Sequence, residues 1–203
     1  MLGTTAGFGQ ERSVIDRRIF PKICALKHRI NMQDTAKLNR NPCPDMAGYT
    51  LRLYQRSDAE NLARLYERSV SYYGPTAYST AQVKAWAGTV SAEKIRERSG
   101  DGRHVIVAND LAGNVLGWVD LEADGHIDFL YIAPEAHGRR LGSRLYCAVE
   151  QHARSRSMPL LHVEASELAR HLFAKQGFTL IRRNELSVCG VAIHNFSMEK
   201  LLA

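Results

Sequence analysis

From Tyr49 onward, short β-branched or apolar runs alternate with stretches whose apolar residues recur every three or four positions. Tyr49 to Tyr54 reads as a strand. Ser57-Asp58-Ala59-Glu60 follows with the Ser-x-x-Glu spacing of a capping box, in which each side chain satisfies a free N–H at a helix start. Ala59, Leu62, Ala63, Tyr66, Val70 and Tyr73 then keep helical spacing until Gly74-Pro75 ends the pattern. Thr80 to Trp86 and Ser91 to Arg98 predict two shorter helices, the second closed by Gly100. Three strands come next: His104 to Ala108, Val115 to Leu121 and His126 to Ile132. The turns between them, Leu111 to Asn114 and Ala123 to Gly125, make the three an antiparallel meander. Leu141 to Arg156 predicts a long helix with Leu141, Leu145, Tyr146, Val149 and Ala153 on one face. Leu160 to Glu164 is an apolar strand, and Ser166 caps a helix that runs to Gln176 before Gly177. Phe178 to Arg182 and Ala192 to Met198 are the last strands. The expected architecture is α/β (α+β): one mixed, largely antiparallel sheet with helices on both faces.

Residues 1–45 break this rhythm. They hold eight Lys/Arg, a basic-apolar stretch from Ile15 to Ile30, and the polar tract Asn39-Arg40-Asn41-Pro42-Cys43-Pro44. They read as an N-terminal extension, a flexible arm or a partner-binding helix, preceding a compact domain at 46–203. The chain of 203 residues leaves room for little beyond one domain of roughly 150 residues. No apolar run approaches the roughly 18–20 residues that cross a bilayer. The N-terminus lacks the apolar core of a secretory signal. Both point to a cytoplasmic protein that does not enter membranes. The four cysteines lie far apart with no CxxC pair, as expected of incidental thiols in a reducing compartment. No clustered Cys or His suggests a metal site. The net charge of +6 raises the alternative of a basic nucleic-acid-binding protein, but the cations are dispersed rather than clustered. The same surplus suits a polyanionic small molecule.

One stretch carries chemistry. Leu130-Tyr131-Ile132-Ala133-Pro134 is followed by His137-Gly138-Arg139-Arg140-Leu141-Gly142-Ser143, which is a strand, a turn and a helix start in close succession. Glycines let a turn aim backbone N–H groups at one spot, and the helix adds its own unsatisfied N–H groups and positive dipole end. The result is a ready phosphate or pyrophosphate site. This stretch resembles the acyl-CoA-binding motif of the GNAT superfamily of N-acetyltransferases, Q/R-x-x-G-x-G/A, with His137 at the Q/R position, Arg140 at the first glycine and Gly142 at the second. Ser166 to Phe178 resembles the family's N-x-x-A-x-x-L/F-Y-x-x-x-G-F element. Together with the closing hairpin, Cys189 to Lys200, the resemblance spans about residues 49–201.

The resemblance implies a cleft between two splayed parallel strands that holds acetyl-CoA as cosubstrate, with no metal. Leu130, Tyr131 and Ile132 would meet the pantetheine arm through backbone groups. His137, Gly138, Arg139, Arg140, Leu141, Gly142 and Ser143 would hold the pyrophosphate, with Ser166 and Phe173 also at the cofactor. A Gly142→Glu change would put bulk and negative charge where phosphate sits. The reaction would be direct attack of an amine, on a small molecule or a protein, on the thioester. The N–H of Tyr131 or Ile132 would stabilise the oxyanion. Asp128 is the first candidate for the base and His126 the second, with Asp120 and Glu122 more remote. Phe173 stands where the family places its acidic Tyr, so the acid stays open among Tyr72, Tyr73, Tyr78, His171 and an unaided thiolate. That substitution also keeps a catalytically weak acyl-CoA-binding module in play. Tyr66, Tyr72, Tyr73, Tyr78 and Trp86 fall where the family builds its acceptor site. Oligomeric state is open, a homodimer being the commonest assembly.

Overall fold

The computed structural model describes residues 48–202. The expected extension at 1–45 lies outside them. In chain order the elements are β1 (Tyr49–Leu53), α1 (Ala59–Tyr73), α2 (Thr80–Ala87), α3 (Ala92–Ser99), β2 (His104–Asp110), β3 (Val115–Leu121), β4 (Leu130–Ile132), α4 (Leu141–Ser155), β5 (Leu160–Ala165), α5 (Arg170–Lys175), β6 (Thr179–Val188) and β7 (Val191–Leu201).

The strands form two antiparallel sheets, β1-β2-β3-β4 and β5-β7-β6. One mixed sheet was expected. The two sheets meet through a single parallel bridge between His126 and His162, so the mixed character resides in that one contact.

Helices cover both faces of the first sheet, and its strands show why. In β2 the side chains alternate between two cores. Ile106 and Ala108 join Leu141, Leu145, Tyr146, Val149 and Ala153 of α4. Val105 and Val107 join Ala59, Leu62, Leu65, Tyr66 and Val70 of α1. A strand buried on both sides reads as a continuous apolar run, and His104 to Ala108 is one. Each fully buried Leu or Val here contributes roughly 1.5–3 kcal/mol.

Several local expectations shift. The helix entry at Ser57 is capped differently. Asp58 accepts the N–H of Gln55 (2.7 Å) and is held by both guanidinium nitrogens of Arg52 (2.7 and 2.8 Å). A reciprocal capping box does form at α2, where Ser79 and Gln82 exchange side-chain and backbone hydrogen bonds. The final hairpin is longer than expected. β6 and β7 pair from Val188↔Val191 back to Thr179↔Glu199, although β6 is largely exposed and carries little apolar periodicity. Cys189 is a free, exposed thiol.

Candidate active site

The cleft begins where the segment leading into β4 touches β5. The N–H of Ile127 donates to the His162 carbonyl (2.9 Å), and the N–H of His162 donates to the Gly125 carbonyl (3.0 Å). Gly125 makes this approach possible. A Cβ there would lie 2.1 Å from the Leu160 oxygen, and its φ is +93°. Past Ile127 the strands part: Leu130–Ile132 pair with β3, and β5 pairs with β7.

A buried carboxylate drives the parting. Asp120, at the end of β3, accepts the N–H groups of Asp128 (3.1 Å) and Phe129 (2.7 Å) on one oxygen and Arg103 (2.7 Å) on the other. The side chain thus takes donors that a regular ladder would use. This is why the strand expected at His126–Ile132 is regular only from Leu130.

The backbone then dictates which groups face the cleft. The Phe129 carbonyl and the Ala133 N–H both bond to β3. Alternation in an antiparallel ladder puts Tyr131 on that same edge and turns the N–H and C=O groups of Leu130 and Ile132 the other way. The open edge therefore offers Leu130 and Ile132, and Tyr131 is committed to Trp118.

Between the strands lies a cavity of about 290 Å³. Its lining includes His126, Asp128, Leu130, Tyr131, Ser166 and Phe173. Tyr66, Tyr78 and Trp86 form an aromatic wall, with Tyr66 and Tyr131 rings 4.7 Å apart and Tyr78 and Trp86 rings 5.5 Å apart. Ile132 and the turn residues His137 to Ser143 are not among the lining residues. Tyr72 and Tyr73 are elsewhere: Tyr72 is exposed, and Tyr73 stacks on His137 at 5.7 Å.

The two candidate bases differ sharply in surroundings. Asp128 is paired through Oδ2 with Arg98 and Arg103, and among the described residues no partner reaches its Oδ1. His126 has both ring nitrogens engaged, Nδ1 with Glu122 (3.2 Å) and Nε2 with Glu164 (2.7 Å). Burial opposes its charge, but the two carboxylates prevail and push the imidazole up to about 9. It is an imidazolium at neutral pH, which alters its expected part: a ring already protonated on both nitrogens cannot accept a proton. Glu122 and Glu164, its partners, are both held below the usual carboxylate range, chiefly by their hydrogen bonds to it.

The turn after β4 has the backbone that the motif needs. Gly138 has φ +74°. Arg140, at a glycine position of the motif, adopts φ 56° and ψ 18°, a left-handed conformation. The pattern's preference for glycine is therefore a conformational one, and the arginine occupies the region at a cost of about 1–2 kcal/mol. Gly142 serves packing. It is buried, and a Cβ there would meet Leu172 at 2.9 Å and Leu130 at 3.7 Å. The expected clash of Gly142→Glu is thus with these leucines first. Arg144, in the first turn of α4, keeps its Nε buried with no hydrogen-bond partner among the described residues.

Phe173 is buried in an aromatic cluster, with rings 6.1 Å from Tyr146 and 5.0 Å from Phe178. Ser166 caps the turn into α5 by accepting the Ala169 N–H (3.1 Å). Of the alternative acids, only Tyr78 lines the cavity. Its hydroxyl donates to the His194 carbonyl (3.2 Å) and accepts the Glu167 N–H (2.8 Å). Sequence reasoning missed Lys94 and Arg98, which face the cavity from α3 at i, i+4 spacing. Two cations one turn apart are a common solvated pattern, and nothing in the sequence marks these as inward.

The family model described as Acetyltransferase (GNAT) domain matches residues 75–201. A GCN5-related N-acetyltransferase of Rhodopseudomonas palustris shares 33% identity and a TM-score of 0.72, over 78% of this chain and 99% of that one. The uncharacterized N-acetyltransferase YafP of Escherichia coli K12 is 26% identical over 154 residues, which is 75% of this chain and 96% of YafP. The PaiA N-acetyltransferase of Thermoplasma acidophilum, solved in complex with coenzyme A, has the same fold at 17% identity, with a TM-score of 0.62 over 76% of this chain and 99% of that one. Fold and relatives define an enzyme, an N-acetyltransferase. The chain belongs to the GNAT acetyltransferase family. Among the described residues, no helix is long and apolar enough to cross a membrane.

Proposed function

We propose that this enzyme moves an acetyl group from acetyl-CoA to a primary amine by direct attack in the cleft between β4 and β5. The observation that carries the reading is the open edge of β4: the N–H and C=O groups of Leu130 and Ile132 turn away from β3, and Leu130 lines the cavity where two parallel strands have parted. The pantetheine arm pairs with that edge as an extra strand would. The pyrophosphate is held by the turn His137–Ser143, where positive-φ backbone and the first turn of α4 offer N–H groups without helical partners. The buried Nε of Arg144, which has no partner among the described residues, is a further donor in the same turn of helix.

The amine must arrive neutral. Asp128 takes its proton on Oδ1, directly or through a water, while Arg98 and Arg103 hold the other oxygen. The amine nitrogen attacks the thioester carbon. The carbonyl electrons move onto the oxygen, where an N–H on the open edge of β4, from Leu130 or Ile132, stabilises them. Collapse breaks the C–S bond and the nitrogen sheds its extra proton to solvent water, giving the N-acetyl amide and the thiolate of coenzyme A. A thiol of ordinary pKa near 8.5 needs little assistance to leave. With Phe173 in the acid's place, the thiolate departs unaided and is protonated from solvent.

Calorimetric titration with acetyl-CoA and a thiol-release assay over an amine panel test this. Binding in the micromolar range and turnover with at least one amine are expected. Asp128→Asn should bind acetyl-CoA normally and lose about 10²–10⁴ in kcat. No binding of acetyl-CoA to the folded chain would refute the reading.

A further inference from the structure

The charges lining the cavity do not cancel. Asp128 and Glu164 are its carboxylates, and Lys94, Arg98 and His126 its cations, with His194 and the phenols of Tyr66, Tyr78 and Tyr131 the remaining titratable groups. Two of the three cations are matched. Arg98 pairs with Asp128 and lies over the Phe129 ring, 5.3 Å from its centroid. His126 sits between Glu122 and Glu164. Lys94 has no carboxylate: its ammonium donates to the Thr89 carbonyl (3.0 Å), and among the described residues no acid lies within ion-pair distance. Burial and the neighbouring Arg98 both push its pKa down. A half-buried ammonium with a single backbone acceptor has two donors to spare.

From Lys94 we infer the acceptor class: an amine that carries its own anionic group, an amino acid in the simplest case, bound with its carboxylate on Lys94 and its side chain against the aromatic wall. The inference rests on the acetyl-transfer reading of this cleft and narrows it. Lys94 and Arg98 are one helical turn apart on α3, and both line the cavity together with Asp128, which Arg98 contacts. The anion site and the base that we assign thus share one cavity. An acceptor that carries its amine and its carboxylate in one small molecule can meet both. Tyr66, Tyr78, Trp86 and Phe129 offer an apolar flank, and Leu186, Val188 and Ile193 of the last hairpin another. The substrate is therefore an amino acid with an apolar or aromatic side chain rather than a polyamine. A second amine would meet Lys94 and Arg98 with like charge.

The test uses the full chain, acetyl-CoA and pairs of acceptors that differ only in the carboxylate: phenylalanine with phenethylamine, tyrosine with tyramine, methionine with 3-(methylthio)propylamine. Thiol release gives kcat/KM for each. In at least one pair the amino acid is expected to be favoured by about 10- to 100-fold, the effect of one charge-assisted hydrogen bond. Lys94→Gln should collapse that ratio, and Lys94→Arg should keep most of it. A thermal melt shows that each variant is folded. Decarboxylated amines that are the better substrates in every pair would overturn the inference, as would a ratio that survives Lys94→Gln. So would the absence of turnover with all pairs while acetyl-CoA still binds. Failure of acetyl-CoA to bind would overturn the reading of the cleft as well, so the two failures are separable.

Discussion

His126→Gln removes the cation that joins the two sheets at the point where they touch. The imidazole is pushed up to about 9 in the fold, against about 6.5 in an unfolded chain. Each tenfold gain in proton affinity is worth about 1.4 kcal/mol, so the charged ring contributes on the order of 3 kcal/mol. Only a fifth of the side chain is exposed, at 19%, so little of this is lost to solvent screening. A raised pKa means that the folded state binds the extra proton. The contribution is therefore complete below about pH 6.5 and decays as pH rises through 9. In the variant, Glu122 retains Arg103 at 3.3 Å, while Glu164 loses its partner. Urea unfolding of both proteins between pH 6 and 10 should show a gap of about 3 kcal/mol at pH 6 that closes toward pH 10. The gap matters more than either curve, because other groups titrate in both proteins and cancel. Parallel curves, or an imidazole that titrates near 6.5 by NMR, would refute the reasoning.

Three further outcomes follow from single contacts. Arg140→Gly should raise stability by up to about 1 kcal/mol, since glycine occupies the left-handed region without strain but loses more entropy on folding; it should still bind acetyl-CoA, and denaturant melts with calorimetry check both points. Tyr78→Phe removes the hydroxyl that accepts the Glu167 N–H and should cost about 1–3 kcal/mol in the same melts, while the alkaline limb of its kcat profile stays where it is; a displaced limb would identify Tyr78 as an acid. Asp120→Asn leaves the buried Arg103 short of a charge and should cost about 3–5 kcal/mol, with acetyl-CoA affinity falling as the β4 edge loses its form.

Much of the fold was legible because its patterns are local. α1 and α4 carry one apolar stripe each, β2 and β3 contain the apolar runs Val105 to Ala108 and Val115 to Val119, and the strand–turn–helix near Pro134 is marked by glycines at 138 and 142. The features that were not legible depend on contacts and backbone directions that no local pattern marks. The split of the sheet rests on Asp120 taking the N–H groups of Asp128 and Phe129. The charge on His126 rests on Glu164, 38 residues away. A histidine two positions from an aspartate on a strand looks like a base with a convenient pKa, and only the fold reveals that two carboxylates have already claimed its nitrogens. Arg140 and Lys94 show the same limit from two sides. The arginine looked like a defect in a glycine motif, yet it supplies the same left-handed backbone at a modest cost. The lysine carries no distinguishing mark in the sequence, yet α3 turns it toward the cavity. In both cases the meaning of the residue lies in where its backbone points, and that direction is set by packing of α1, α3 and α4 against the sheet rather than by the residue itself.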